Sequence, residues 1–251
     1  MHPIIRLLLL SAPFLTGHAT ASVLTIYGDT ADTQVHKNGI FTGDPGQNGG
    51  QSGFNGGFDY SMVYVLQLPV LSANQTITAA DFSFYNTASG SNFDTDLYGL
   101  SYRTLPSVLA SDWYTGTGDP NNTLIQAGIV PPSFSNQGRF STSPSGDAAL
   151  LSFILAQYAS GALGGEYVFL RLSTNAAQAV NLNVNFYYAA DVAFFLAGVY
   201  GQSTLARWQN DFSPRLLLTI EETQTPEPST LVAVALSLAA LMVLRQRGQA
   251  R

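Results

Sequence analysis

Between Val23 and Glu221 short apolar or alternating runs recur, and each is cut off by glycine, asparagine, serine or proline. That rhythm favours strands joined by turns over long helices. The same stretch is rich in Gly, Asn, Ser, Thr, Tyr and Phe. It is poor in Lys and Glu, which build exposed helices. Candidate strands are Val23–Tyr27, Met62–Leu68, Ile77–Tyr85, Phe93–Arg103, Tyr167–Ser173, Val180–Tyr188, Val192–Ala197 and Arg215–Glu221. The segments Gly43–Gly57, Thr115–Asn122 and Pro131–Gly146 read as loops, the first of low complexity. One segment breaks the pattern. In Asp147–Tyr158 the apolar residues Leu150, Leu151, Ile154, Leu155 and Tyr158 fall at helical spacing. Asp147 is the expected N-cap and Gly161 the stop, giving one helix of about three turns across an end of the sandwich. The expected fold is all-β: a two-sheet antiparallel sandwich with one short helix. Jelly-roll topology is one option among several.

The two ends of the chain read differently from its middle. Met1–Arg6 is basic, Leu7–Leu15 is apolar, and Ala19-Thr20-Ala21 has the small-x-small pattern of a cleavage site. Residues 1–21 are thus expected to be a secretory signal peptide, with Ser22 the first mature residue. At the other end, Thr225-Pro226-Glu227-Pro228-Ser229 precedes the uncharged run Leu231–Leu244, and Arg245, Arg247 and Arg251 follow. That run is short for a bilayer core of about 30 Å, which takes about 20 residues. Ser229 and Thr230 lengthen it, so a transmembrane helix is expected over 229–244. Pro228 fixes its upstream boundary, and the arginines would stay on the cytoplasmic side. The order Pro-Glu-Pro, apolar helix, arginines resembles the bacterial PEP-CTERM sorting signal. The resemblance implies export, transient anchoring in the inner membrane with the domain on the periplasmic side, and processing by an exosortase. The cell surface or extracellular matrix is then the destination. The sorting residues so implied are Pro226, Glu227, Pro228, Arg245 and Arg247, within residues 225–251.

Residues 22–224 are expected to form one exported domain. The chain has no cysteine, which excludes disulfides, thiol chemistry and Cys-ligated metal. From Ser22 to Gln224 one lysine and five arginines face fifteen carboxylates. Such a surface has no means of neutralising a phosphate backbone, so nucleic acid is not a partner.

This middle region resembles the DNRLRE-type, carbohydrate-binding-like jelly-roll domains. The resemblance rests on Ala31-Asp32-Thr33-Gln34-Val35, then a glycine-rich stretch, then Met62–Pro69. Ile77–Phe84, the helix Leu151–Tyr158 with Ala159-Ser160-Gly161, and Ser213-Pro214-Arg215-Leu216-Leu217-Leu218 follow in order. The basic residue usual in the second strand is absent, and Asp81 stands where a small or apolar residue is common. The resemblance implies a jelly-roll fold and carbohydrate, including matrix exopolysaccharide, as the partner.

Catalytic signals are sparse. His36 is the only histidine between Ser22 and Gln224; that leaves no set of His ligands for catalytic zinc and no Ser-His-Asp context. Asp94 and Asp96 share one strand face and read as solvated acids. A glycosidase needs two carboxylates on different elements across a cleft. Glu166 is a lone acid at a strand start and reads as a surface residue. Phe194–Gln202 resembles the terminal motif of jelly-roll alginate lyases, and Gln34-Val35-His36 resembles their Gln-x-His motif. That likeness implies an alternative, a polysaccharide lyase working through Gln34, His36, Tyr200 and Gln202. The Arg-rich motif is missing, Leu196 replaces the lysine, and the domain is acidic where a polyanion cleft should be basic. The expectation is therefore a non-catalytic domain, with a purely structural or adhesive matrix role as a third alternative.

Two binding sites remain to weigh. Trp113, Tyr114 and Trp208 are candidates for stacking on a sugar's apolar face, against the commoner fate of core packing. The turns Asp29-Thr30-Ala31-Asp32 and Asp119-Pro120-Asn121-Asn122 offer oxygens suited to a structural Ca2+. Asp29, Asp32 and Asp211 are the candidate ligands; the alternative is that such acids cap their own backbone.

Overall fold

The computed structural model describes residues 20–28, 33–36, 39–41, 50–55, 58–86, 95–114, 119–131, 138–174, 185–188 and 213–223. It also describes three single helical positions, Ser237, Ala239 and Arg245. The chain divides into a body, Ala21–Glu221, and a second unit of Met1–Thr20 with Glu222–Arg251. The architecture below is that of the body. No helix among the described residues is long and apolar enough to cross a membrane. Most of the expected signal peptide and of the expected 229–244 helix lies outside them.

The strands are β1 Thr20–Tyr27, β2 Thr33–His36, β3 Gly39–Phe41, β4 Gly50–Asn55, β5 Phe58–Gln67 and β6 Gln75–Asn86. Then follow β7 Thr95–Arg103, β8 Thr123–Val130, β9 Gly138–Ser141, the helix α1 Pro144–Ala159, β10 Tyr167–Thr174, β11 Asn185–Tyr188 and β12 Arg215–Glu222. Hydrogen bonding follows the order β1-β12-β6-β11-β4-β5-β10-β7-β8, with β2 on β5, β3 on β2 and β9 on β6. The ladder folds into two antiparallel sheets, consistent with a β-sandwich. One layer holds β1, β12, β6 and β9; the other holds β2, β5, β10, β7 and β8. Among the described residues, β11 meets β6 at Tyr188 opposite Asn86.

Alternation decides what each face does. In β5, Met62, Tyr64 and Leu66 enter the core between the layers, while Val63 and Val65 point outward. In β10, Val168, Leu170 and Leu172 face in, and Phe169 belongs to the outer cluster. The opposite layer supplies Ile77, Phe82, Phe84, Leu216 and Leu218. An aromatic ladder ties the two: Tyr64 lies 5.5 Å from Phe82, and Phe84 stacks on Phe140 at 5.9 Å. Such pairs add about 0.5–1.5 kcal/mol each beyond area burial. Helix α1 packs on β6 of one layer and on β8 and β7 of the other. Its Leu150, Phe153 and Ile154 are buried in the same core. Gly99 makes the fit possible, because the Phe153 ring lies within 2.6 Å of where a Cβ would sit.

The helix starts earlier than its apolar pattern suggests. Its N-cap is Ser143, whose hydroxyl accepts the Gly146 N–H at 3.3 Å, and not Asp147. Pro144 fills the first helical position, where no N–H is needed. Asp147 instead accepts a short hydrogen bond from the Thr142 hydroxyl. Gly161, at φ +111°, does follow the helix end. Two stretches read as loops contain strands. β4 lies inside Gly43–Gly57, and β9 inside Pro131–Gly146. β8 was not expected either. β4 and β9 are polar or glycine-rich segments whose extended form comes from backbone pairing with neighbours rather than from their own propensity; β8 does carry apolar residues, and its Ile125, Ile129 and Val130 are buried.

Candidate functional site

The outer face of the β2-β5-β10-β7-β8 layer is not a solvated sheet face. It starts apolar, with Val35, Val63, Val65, Leu100, Val108 and Phe169 all buried. The segment that follows β7 crosses it and carries part of the covering. A bulge sets that segment going: Phe169 pairs with Leu100 but Tyr167 pairs with Arg103. One extra residue in β7 places Leu100 and Arg103 on the same side, and the Arg103 guanidinium lies 4.2 Å above the Phe169 ring.

Arg171 stands in the middle of β10 with no exposure at all. A buried guanidinium has to be paired and hydrogen-bonded, and every arm is used. Nη2 meets Asp119 Oδ2 at 2.5 Å, Nη1 donates to the Asp112 carbonyl at 2.8 Å, and Nε donates to Ser173 Oγ at 2.7 Å. The Tyr98 and Tyr114 rings flank it at 5.1 and 5.4 Å. Burial lowers the pKa of Arg171, and Asp119 offsets part of that. Burial alone would raise Asp119, but hydrogen bonds from Arg171, Asn122 and the Asn121 N–H outweigh it and hold the carboxyl below its usual range. The lowered Asp119 carboxyl is ionised at neutral pH and faces the fully hydrogen-bonded guanidinium. Asp112 is the second anchor. Its carboxylate forms a close ion pair with Arg103 and accepts the Leu109 N–H at 2.7 Å.

These contacts bracket one residue. On one side of Trp113 the Asp112 carbonyl is held by Arg171; on the other the Tyr114 carbonyl accepts Ser61 Oγ at 2.8 Å. Trp113 itself packs on the outer cluster and remains part-exposed. The arrangement is a backbone clamp around a part-exposed tryptophan. Among the described residues no group of three or more His, Asp or Glu side chains could hold a metal.

Of the other expected site residues, Gln34 and His36 lie on β2. Gln34 is buried opposite Met62, and His36 meets the Tyr60 ring edge-on at 5.8 Å. Tyr200 and Gln202, Trp208, and the calcium candidates Asp29, Asp32 and Asp211 lie outside the described residues. So do Pro226, Glu227, Pro228 and Arg247. The Asp119 turn is described, and its carboxylate is occupied by Arg171, Asn121 and Asn122. Asp96 is also corrected: it is buried and accepts the Gly128 N–H at 2.8 Å, because the β7–β8 register breaks there. Glu166 caps the Leu163 N–H at 3.2 Å. The residues missed were Arg171, Asp112 and Ser61; Asp119 was singled out, but as a turn acid suited to calcium and not as the partner of Arg171. One signal was present, an arginine between Leu170 and Leu172 in an otherwise apolar strand. A groove of about 320 Å³ lies elsewhere, between β1 and Gln67–Pro69 at the end of β5; it contains none of these groups.

Comparison with models of known protein families finds none that matches, and comparison with curated proteins finds no match.

Proposed function

We propose that this chain is an exported, exosortase-processed protein of the cell surface or matrix, whose jelly-roll sandwich binds carbohydrate without catalysing a reaction on it. The order of the terminal segments supports the address: a signal peptide over 1–21 and a PEP-CTERM-like tail over 225–251. The tail would hold the domain on the periplasmic side of the inner membrane until an exosortase acts on it. The two antiparallel layers support the jelly-roll reading. The observation that carries the binding role is the clamp on Trp113. A sugar platform needs an aromatic face at the surface that loses little freedom when a ligand arrives, and Arg171 and Ser61 fix the backbone on both sides of this one. Matrix exopolysaccharide is the ligand class that fits the proposed address.

Affinity electrophoresis of the full chain in detergent tests this, through gels holding neutral or acidic polysaccharides, with and without calcium. Selective retardation is expected, with loss of retardation in Trp113→Ala at unchanged melting temperature. Unhindered migration in every gel would instead favour a structural matrix component. Shortening of the polysaccharide, abolished by Tyr200→Phe, would favour the lyase alternative.

A further inference from the structure

Four large apolar side chains are exposed far beyond the rest described: Leu163 at 79 %, Val70 at 73 %, Val23 at 66 % and Leu105 at 65 %. All four belong to one end of the sandwich. Leu163 and Val70 are neighbours, since the Gly164 backbone sits against Pro69 and Val70 and the Gly165 N–H bonds to the Leu68 carbonyl at 2.8 Å. Leu105 follows Arg103, which pairs with Tyr167 at the start of β10, four residues beyond Leu163. Val23 follows Ser22, whose hydroxyl reaches the Ile220 carbonyl near the end of β12. The seven residues between β5 and β6 bring the ends of the two layers to the same side.

The loops at this end are uncharged. Residues 69–74, 104–110 and 160–165 contain no Asp, Glu, Lys or Arg. The bordering charges are spent on the protein: Arg103 on Asp112, Glu166 on the Leu163 N–H, and Glu221 on the Thr78 hydroxyl. Glu222, at the end of β12, is exposed. Large apolar side chains exposed together at one end of a domain point to a contact site.

What covers it follows from the chain. β12 ends at Glu222, and the apolar run starts at Leu231. Eight intervening residues reach at most about 3.3–3.6 Å each. A tail inserted in a bilayer therefore keeps this end close to the lipid and gives even a weak apolar contact a high effective concentration.

We propose that this end is a lipid-contact face, on which Val70, Leu105 and Leu163 dip into the bilayer surface while the tail anchors the protein. The proposal rests on the membrane-tail reading above. The absence of cysteine allows a direct test on the full chain. Leu163→Cys, Leu105→Cys and Ile40→Cys are each labelled with a polarity-sensitive fluorophore and reconstituted into phosphatidylcholine vesicles containing doxyl-labelled lipid. Ile40 is a control on β3, which pairs through β2 with the opposite end of β5. The expected result is a blue shift at 163 and 105, with loss of intensity under doxyl lipid, and neither change at 40. A blue shift without doxyl quenching would assign the face to a second copy of the chain and overturn the proposal. Solvent-like emission while the protein resists alkaline carbonate extraction would also overturn it. If carbonate strips the protein from the vesicles, the tail reading itself fails and the proposal falls with it.

Discussion

The inner and outer faces of the β2-β5-β10-β7-β8 layer are built from the same strands and held by different physics. Inside, Met62, Tyr64, Leu66, Leu170 and Leu172 meet the opposite layer through close apolar packing. That packing is non-directional and scales with the area buried. Outside, the same strands present Ser61, Arg171 and Ser173, which act through direction and charge. The first face makes the domain stable. The second fixes the loop that carries Trp113. A buried ion pair is a poor source of net stability but is costly to break on one side. The two faces should therefore respond differently to paired substitutions.

The largest effect sharpens that contrast. Arg171→Met leaves the Asp119 carboxylate buried without its cation, and about 3–5 kcal/mol of stability should disappear in denaturant titrations. Leu170→Ala on the inner face should cost a similar amount, about 2–5 kcal/mol, by opening a cavity. Adding Asp119→Leu to Arg171→Met should recover most of the outer-face loss. If the double variant is no more stable than the single one, the outer face is ordinary core and the contrast fails.

The pH dependence comes next. The folded pKa of Asp119 is depressed. Its contribution is therefore complete above the unfolded value near 3.8 and is lost as pH falls through the folded value. Asp81, on the β6 side, shifts the other way: burial raises it first and Asp147 raises it further. Its contribution is present below about 3.8 and is lost as pH rises through the folded value. Asp119→Asn should lower the neutral-pH melting temperature and flatten the acid limb. Asp81→Asn should raise the neutral-pH melting temperature. Melting curves across the acid range check both signs.

Smaller effects follow from single hydrogen bonds. Ser61→Ala removes the bond to the Tyr114 carbonyl and should cost about 1 kcal/mol. Ser143→Ala removes the helix cap and should cost about the same. Leu163→Ser should stay within about 0.5 kcal/mol of the parent, because nothing buries that side chain in the body.

The contrast also explains what was legible in the sequence. β5, β6, β10 and β12 carry the period-two apolar signal that the inner face requires, and their expected positions agree with the structure to within a few residues. The helix was visible from Leu150, Ile154 and Tyr158, though its start was set by Ser143 and Pro144, which belong to no apolar pattern. β4 was hidden because Gly50–Asn55 pairs through its backbone and carries no such signal. Trp113 stood out by residue type alone. Its clamp did not, because Arg171 finds Asp112 and Asp119 at separations of 59 and 52 residues. An arginine inside an apolar strand announces that a partner exists but does not say which carboxylate it is.

The account turns on the outer face being a clamp on the Trp113 loop, and amide hydrogen exchange tests that directly. With Arg171→Met compared to the parent in conditions where both are folded, exchange at Asp112, Trp113, Tyr114 and Asn121 should accelerate strongly while Tyr64, Leu66 and Leu170 stay protected. Equal protection of the 112–114 amides in both proteins would contradict the clamp.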